Sequence, residues 1–100
     1  MNILVKDIVG SETAIAYDDG VKCLDLVLES LEQDGSVELD FQGVEFVITA
    51  FLNPVIGDLI IKKGPDIMQK VKITNATRNI IDKIKIVKDG ALIKREDLEE

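Results

Sequence analysis

The 100-residue chain contains no histidine, no tryptophan, one cysteine and two prolines, and only 4% of its residues are aromatic. The absence of histidine removes the commonest metal ligand and the commonest general base. Because Cys23 is the one thiol, we expect no zinc site, no internal disulfide and a reducing compartment. Since aromatic residues are scarce, Ile, Leu and Val must fill the core.

Long apolar runs are also missing. No uninterrupted stretch approaches the roughly 20 residues that a membrane span needs. The first residues carry no basic leader, and their apolar run stops at Lys6, which is not the pattern of a signal peptide. We therefore expect a cytoplasmic protein without a membrane association.

Basic charge is scarce in the first half of the chain. Residues 1–45 hold 11 acids and two lysines, whereas residues 46–100 hold eight acids and ten bases. The net charge of −7 argues against nucleic acid as a partner, because that binding depends on neutralising phosphates. The asymmetry either steers a basic partner to the first half or serves only as a solvated acidic face.

Motifs of enzymatic chemistry are absent as well. The sequence has no Gly-rich phosphate loop and no Gly-x-Ser-x-Gly elbow. Its adjacent acids, such as Asp18-Asp19, are ordinary features of a helix start rather than a tuned catalytic pair. We expect a protein that is not an enzyme and binds no cofactor.

The hydrophobic pattern alternates between strands and helices along the whole chain. It predicts strands over residues 2–8, 13–16, 36–41, 71–74 and 91–93, with an Asp89-Gly90 turn before the last of these. Helical stripes begin near Asp18 and near Asn53, and a third helix is capped by Asn75 or Thr77. Strands joined by helices of this length require crossover connections. We therefore predict an α/β fold with a mixed, mostly parallel sheet of about four strands and helices packed on it.

A chain of this length forms one domain, which we place over residues 1–100, with a charged and frayed tail at residues 95–100.

The most informative stretch of the chain runs from Val37 to Gly57. The alternation of Val37, Leu39 and Phe41 with acids predicts a half-buried strand, which a tight bend at Gln42-Gly43 ends.

This stretch resembles the core of STAS domains, the family of anti-sigma-factor antagonists. The shared pattern is a strand, a "Gly-Val-x-Phe" segment at residues 43–46 and a hydroxyl at the next helix start. A closer similarity is to a STAS-like family of unknown function, in which "Asp-Phe-x-Gly-Val" leads into "Phe-Leu-Asn", as residues 40–44 and 51–53 do here. The resemblance covers residues 37–87 and implies the STAS-like fold.

The resemblance also implies a phosphoacceptor. In STAS regulators this helix begins with an Asp-Ser pair, and a partner kinase phosphorylates the serine. Here Ile48 stands at the Asp position and Thr49 at the Ser position. Either Thr49 caps the helix, or Asn53 caps it and Pro54 takes the first helical position, where proline is favoured. The sequence favours the Asn53 start, because Pro54 inside a helix would press on the carbonyl of Ala50.

We expect a regulatory module that binds an anti-sigma factor or a histidine-kinase-like ATPase. The predicted contact residues are Ile48, Thr49, Ala50, Phe51 and Asn53. Phe51 is either a partly exposed anchor at the margin of the helical stripe or a core residue. The alternatives are a module that binds an anion or nucleotide near residues 48–50, and the subunit of a structural homodimer.

Overall fold

The fold is built on parallel pairs of strands. A computed structural model describes the backbone of residues 1–99 and the side chains of residues 1–93. Strands β1, β3 and β5 form one sheet in the order β1-β3-β5, and β2 and β4 form a second. All of these described pairs are parallel. The strands span Asn2–Leu4 (β1), Thr13–Ala14 (β2), Val37–Asp40 (β3), Phe46–Val47 (β4) and Val71–Thr74 (β5).

Within the described backbone, five α-helices connect and cover these strands. They span Val5–Val9 (α1), Tyr17–Asp34 (α2), Thr49–Leu52 (α3), Leu59–Lys63 (α4) and Arg78–Glu99 (α5). A π-helical segment, Asn53–Asp58, joins α3 to α4 without a break, and we call residues 49–63 the central helix. A 3₁₀ helix, Pro65–Lys70, leads into β5. Among the described residues, no helix is both long and apolar enough to cross a membrane.

The larger sheet is buried on one face and polar on the other. The register aligns Ile3 with Leu39 and Leu39 with Ile73, and these side chains belong to or pack against the core. On the opposite face, Glu38 Oε2 accepts hydrogen bonds from Asn2 Nδ2 at 3.1 Å and from Thr74 Oγ1 at 3.0 Å. Side chains of all three strands are therefore linked across the open face.

The α/β class is confirmed, but the single sheet of about four strands is not. The bend after β3 uses a positive φ of 83° at Gly43, which turns the chain away from the first sheet. The backbone N–H of Glu45 then donates to the carbonyl of Glu12 at 2.8 Å, so β4 pairs with β2 instead. The result is two parallel sheets of three and two strands.

Two other element predictions are wrong. The predicted strand over residues 2–8 ends at Leu4, and the chain turns into α1, which closes at Gly10 with φ 68°. The predicted turn at Asp89-Gly90 and the strand after it are replaced by the continuous helix α5. Burial of Val87 and Ala91 on either side of Gly90 holds this helix against the core, which overrides the local turn preference.

The start of α5 resolves an alternative left open by the sequence. The Ile80 backbone N–H donates to Thr77 Oγ1 at 3.3 Å, so Thr77 is the cap rather than Asn75. The frayed tail at residues 95–100 stays a prediction, because the side chains of residues 94–99 and all of residue 100 lie outside the described part of the chain.

Candidate functional site

Thr49 is the first residue of the central helix. Ile48 precedes it with extended backbone (φ −118°, ψ 163°), and its carbonyl accepts from the backbone N–H groups of Phe51 and Leu52. The Ile48 N–H donates to the Ala14 carbonyl at 3.1 Å, which ties the helix start to the end of the β2–β4 pair. The Thr49 side chain is exposed at the positive end of the helix dipole.

The prediction that Asn53 caps this helix is wrong. Asn53 already has helical dihedrals (φ −54°, ψ −50°), and its backbone N–H donates to the Thr49 carbonyl. Pro54 therefore lies inside the helix, where its ring would crowd the carbonyl of Ala50 in regular α geometry. The π segment that begins at Asn53 widens this turn and moves the bonding pattern to five residues, which accommodates the proline.

Phe51 is a core residue and not an exposed anchor. Its side chain has no solvent exposure. Helix α2 closes over it at Gly20, where an added Cβ would collide with the Phe51 carbonyl oxygen and would lie 2.6 Å from Pro54 Cγ. Of the five predicted contact residues, Thr49 and Asn53 are exposed, Ile48 and Ala50 are half-buried, and Phe51 is inaccessible.

The exposed residues Thr49 and Asn53 lie on one wall of a surface groove of about 320 Å³. They share this wall with Gly57, because residues four apart lie on the same side of a helix. Asp58 and Ile61 complete the wall, and the opposite wall comes from α5, through Ile86, Val87, Gly90 and Ala91. We call this cleft the α3–α5 groove.

Small residues keep the α3–α5 groove open. A Cβ added at Gly90 would meet no atom within 4 Å, whereas one at Gly57 would contact Val87 Cγ1 at 3.5 Å. Beside these glycines, Ile86 is 64% exposed. This apolar side chain at the groove rim is accessible to a molecule that enters the groove.

A lysine is held close to the start of the central helix. Lys83 Nζ donates to the Val47 carbonyl at 2.6 Å and lies 4.0 Å from the centroid of the Phe46 ring. Phe46 is itself 42% exposed. A fixed cation therefore lies against Phe46 and Val47, which precede Thr49 in the chain by three and two residues.

Charged residues of both signs flank the exposed Ile86 on α5. Asp82 and Asp89 lie about one turn before and after it on α5, and Asp58 lies on the opposite wall. Lys83, Lys85 and Lys88 lie on the same turns of α5. Of the charged residues near Ile86, Asp58 is the one that lines the groove. The groove thus combines apolar surface with negative charge.

The sequence reasoning missed the α5 wall of this groove. The Asp89-Gly90 pair predicts a turn, which would separate Ile86 from Ile93. Had the helix been continued through Gly90, the seven-residue spacing would have placed these two isoleucines on one face. Both are more than 60% exposed in the structure.

Two side chains elsewhere have shifted acidities. Burial raises the pKa of the Cys23 thiol to about 12, which keeps it protonated at neutral pH. Hydrogen bonds to Oδ1 from the Asn75 side-chain amide and the Gln42 backbone N–H lower the pKa of Asp40 below its ordinary value. Burial therefore accounts for the raised pKa of Cys23, and hydrogen bonding accounts for the lowered pKa of Asp40.

The comparisons with known proteins concern the segment that contains most of this site. No curated protein and no solved structure gives a significant match to the chain. One family model does match, over residues 19–87, and it is described as a STAS-like domain of unknown function. That span runs from the start of α2 to the middle of α5 and includes both walls of the α3–α5 groove through Val87. The chain therefore belongs to the family of STAS-like domains of unknown function (DUF4325).

Proposed function

We propose that this domain is a non-enzymatic regulatory module that binds a protein partner in the α3–α5 groove. The partner class that the STAS resemblance suggests is an ATPase-type regulator, either an anti-sigma factor or a histidine-kinase-like ATPase. One observation carries the proposal: Thr49 and Asn53, the exposed residues of the predicted contact set, line an open groove beside the exposed Ile86.

The chemistry of the groove limits the partner. Ile86 and Ile61 offer apolar surface beside Gly57 and Gly90, and Asp58 lines the groove with one negative charge. A partner helix with an apolar stripe flanked by lysine or arginine would complement both features. The acidic first half of the chain would speed its association by electrostatic steering.

We also propose Thr49 as the phosphoacceptor that regulates this contact. Its hydroxyl is exposed at a helix N-terminus, where the free N–H groups and the dipole favour an anion. Phosphorylation would add about −1.5 to −2 charges beside the groove. That change would alter the attraction of a basic partner without disturbing the buried side of the helix.

The test begins with a partner captured from the native host, followed by affinity measurement with purified proteins. Ile86→Asp should weaken binding by on the order of tenfold or more, because it places an acid where an apolar contact was buried. The matched control is Ile81→Asp, on the same helix and rotated from Ile86 by about 140°. Ile81 is 44% exposed, so this variant should fold and bind like wild type. If Ile86→Asp binds the partner with the same affinity as Ile81→Asp, the groove is not the docking site.

Thr49→Glu tests the regulatory part. It should leave the fold intact and change partner affinity, whereas Thr49→Val should prevent phosphate incorporation by the cognate kinase. If the partner binds wild type and Thr49→Glu equally, Thr49 is not the switch.

A second candidate is a small ligand near residues 48–50. The groove volume of about 320 Å³ lies within the range of small-molecule sites and favours this alternative. Saturation of the groove by a small anion or nucleotide, with no protein partner captured, would support it. A homodimer would instead appear as a doubled mass in light scattering of the purified chain.

A further inference from the structure

A second groove lies on another side of the domain, and its charge has the opposite sign. Its volume is about 710 Å³, and it lies between α2, the end of α4 and the 3₁₀ helix. The residues that line it are Leu28, Leu31, Glu32, Lys62, Lys63, Ile67 and Lys70. We call this cleft the lysine groove.

The floor of the lysine groove is apolar. Leu28 and Leu31 come from α2 and Ile67 comes from the 3₁₀ helix, and all three are half-buried and pack against the core. Their accessible parts therefore contribute aliphatic surface to the lining of an open cleft. A ligand that covers this apolar surface removes it from water, which lowers the free energy of the complex.

The rim carries three of the ten lysines in a chain whose net charge is −7. Lys62 and Lys63 end α4, and Lys70 ends the 3₁₀ helix, so separate elements bring them to one cleft. Among the side chains of residues 1–93, none of the three takes part in an ion pair, although Glu32 also lines the groove. Each of these lysines suits the C-terminal end of its own helix, but that preference does not explain why the three line one cleft.

We propose that the lysine groove binds a small organic anion with an apolar chain. The aliphatic floor would hold the chain, and the lysine ammonium groups would bind a carboxylate or phosphate head group. The volume lies within the range of small-molecule sites.

The probe is decanoate, kept below its micelle concentration and titrated into the full chain with methyl NMR detection. The methyl signals of Leu28, Leu31 and Ile67 should shift, and those of Ile86 should not. Decanol, which has the same chain without the charge, should bind on the order of tenfold more weakly, because it lacks the charge contacts. Decyl phosphate should bind at least as well as decanoate, and an equal response to decanol would overturn the role of the lysines.

The matched variants keep the shape of the rim and remove its charge. The triple variant Lys62→Gln, Lys63→Gln, Lys70→Gln should lose on the order of tenfold in decanoate affinity. The control variant Lys85→Gln, Lys88→Gln removes charge from α5 and should bind like wild type. Melting curves of both establish that they are folded. Unchanged affinity in the triple variant, or methyl shifts confined to the α3–α5 groove, would refute the proposal.

Discussion

The same glycine-to-alanine change should have opposite effects at two positions of this domain. At Gly20, an added Cβ would lie less than 3.0 Å from both the Phe51 carbonyl oxygen and Pro54 Cγ, and real Cβ atoms essentially never make contacts that short. One of these atoms is backbone and the other belongs to a rigid ring, so α2 and the central helix must separate. Overpacking of this kind lowers the unfolding free energy by about 1–3 kcal/mol. The higher helix propensity of alanine offsets up to about 1 kcal/mol of that loss.

Because rigid groups meet the new methyl, we place the net loss for Gly20→Ala at about 2 kcal/mol of unfolding free energy. For a domain of this size that corresponds to a fall in Tm of roughly 8–16 °C. Gly90→Ala should instead raise the unfolding free energy by about 0.5–1 kcal/mol, because Gly90 lies within α5 and its Cβ would occupy open space. Thermal and urea melts measure both. A Gly20→Ala variant as stable as wild type would refute the close packing of α2 on the central helix, and a destabilised Gly90→Ala would contradict a continuous α5.

Three further predictions concern the sheet and the buried thiol. Leu39→Asp should abolish the cooperative melt, because a buried unpaired acid costs several kcal/mol, whereas Glu38→Lys should fold with about 1 kcal/mol less stability through loss of its two hydrogen bonds. Since the pKa of Asp40 is lowered in the folded state, its contribution to stability is present above the unfolded pKa of about 3.9 and is lost as pH falls through the folded value. Urea melts between pH 2 and 6 should therefore show less acid sensitivity in Asn75→Ala than in wild type, and parallel curves would refute this. Iodoacetamide should alkylate Cys23 slowly at pH 8 in the native protein and rapidly in urea, since burial raises the pKa of the thiol to about 12; equal rates, followed by mass spectrometry, would contradict its burial.

Hydrophobic periodicity predicts those elements whose local pattern and tertiary packing agree. The strand at Val37–Asp40 and the helix at Tyr17–Asp34 follow their apolar stripes, and the helix has acids in its first turn and a left-handed Gly35 after its last. The strand Val71–Thr74 matches its predicted bounds. In each case most of the residues that the pattern places inside belong to the core or pack against it.

Local preference fails where packing overrides it. Asn53-Pro54 is a strong helix-start signal, yet the buried residues Phe51 and Leu52 extend the helix before it, and a π segment accommodates the proline. A π segment has no recognised sequence signature, so the continuous central helix could not be predicted. The exposure of Thr49 and Asn53 could be predicted from their polarity, but the groove between them and α5 depends on tertiary contacts.

The central claim is that a protein partner docks in the α3–α5 groove, and methyl NMR of the isoleucines tests it most directly. Once a purified partner is titrated into the labelled domain, the signals of Ile61 and Ile86 should shift or broaden, because both line the groove. The signal of Ile81, on the other flank of α5, should stay unchanged. A response at Ile81 without one at Ile86 would contradict the claim and place the docking surface elsewhere on the domain.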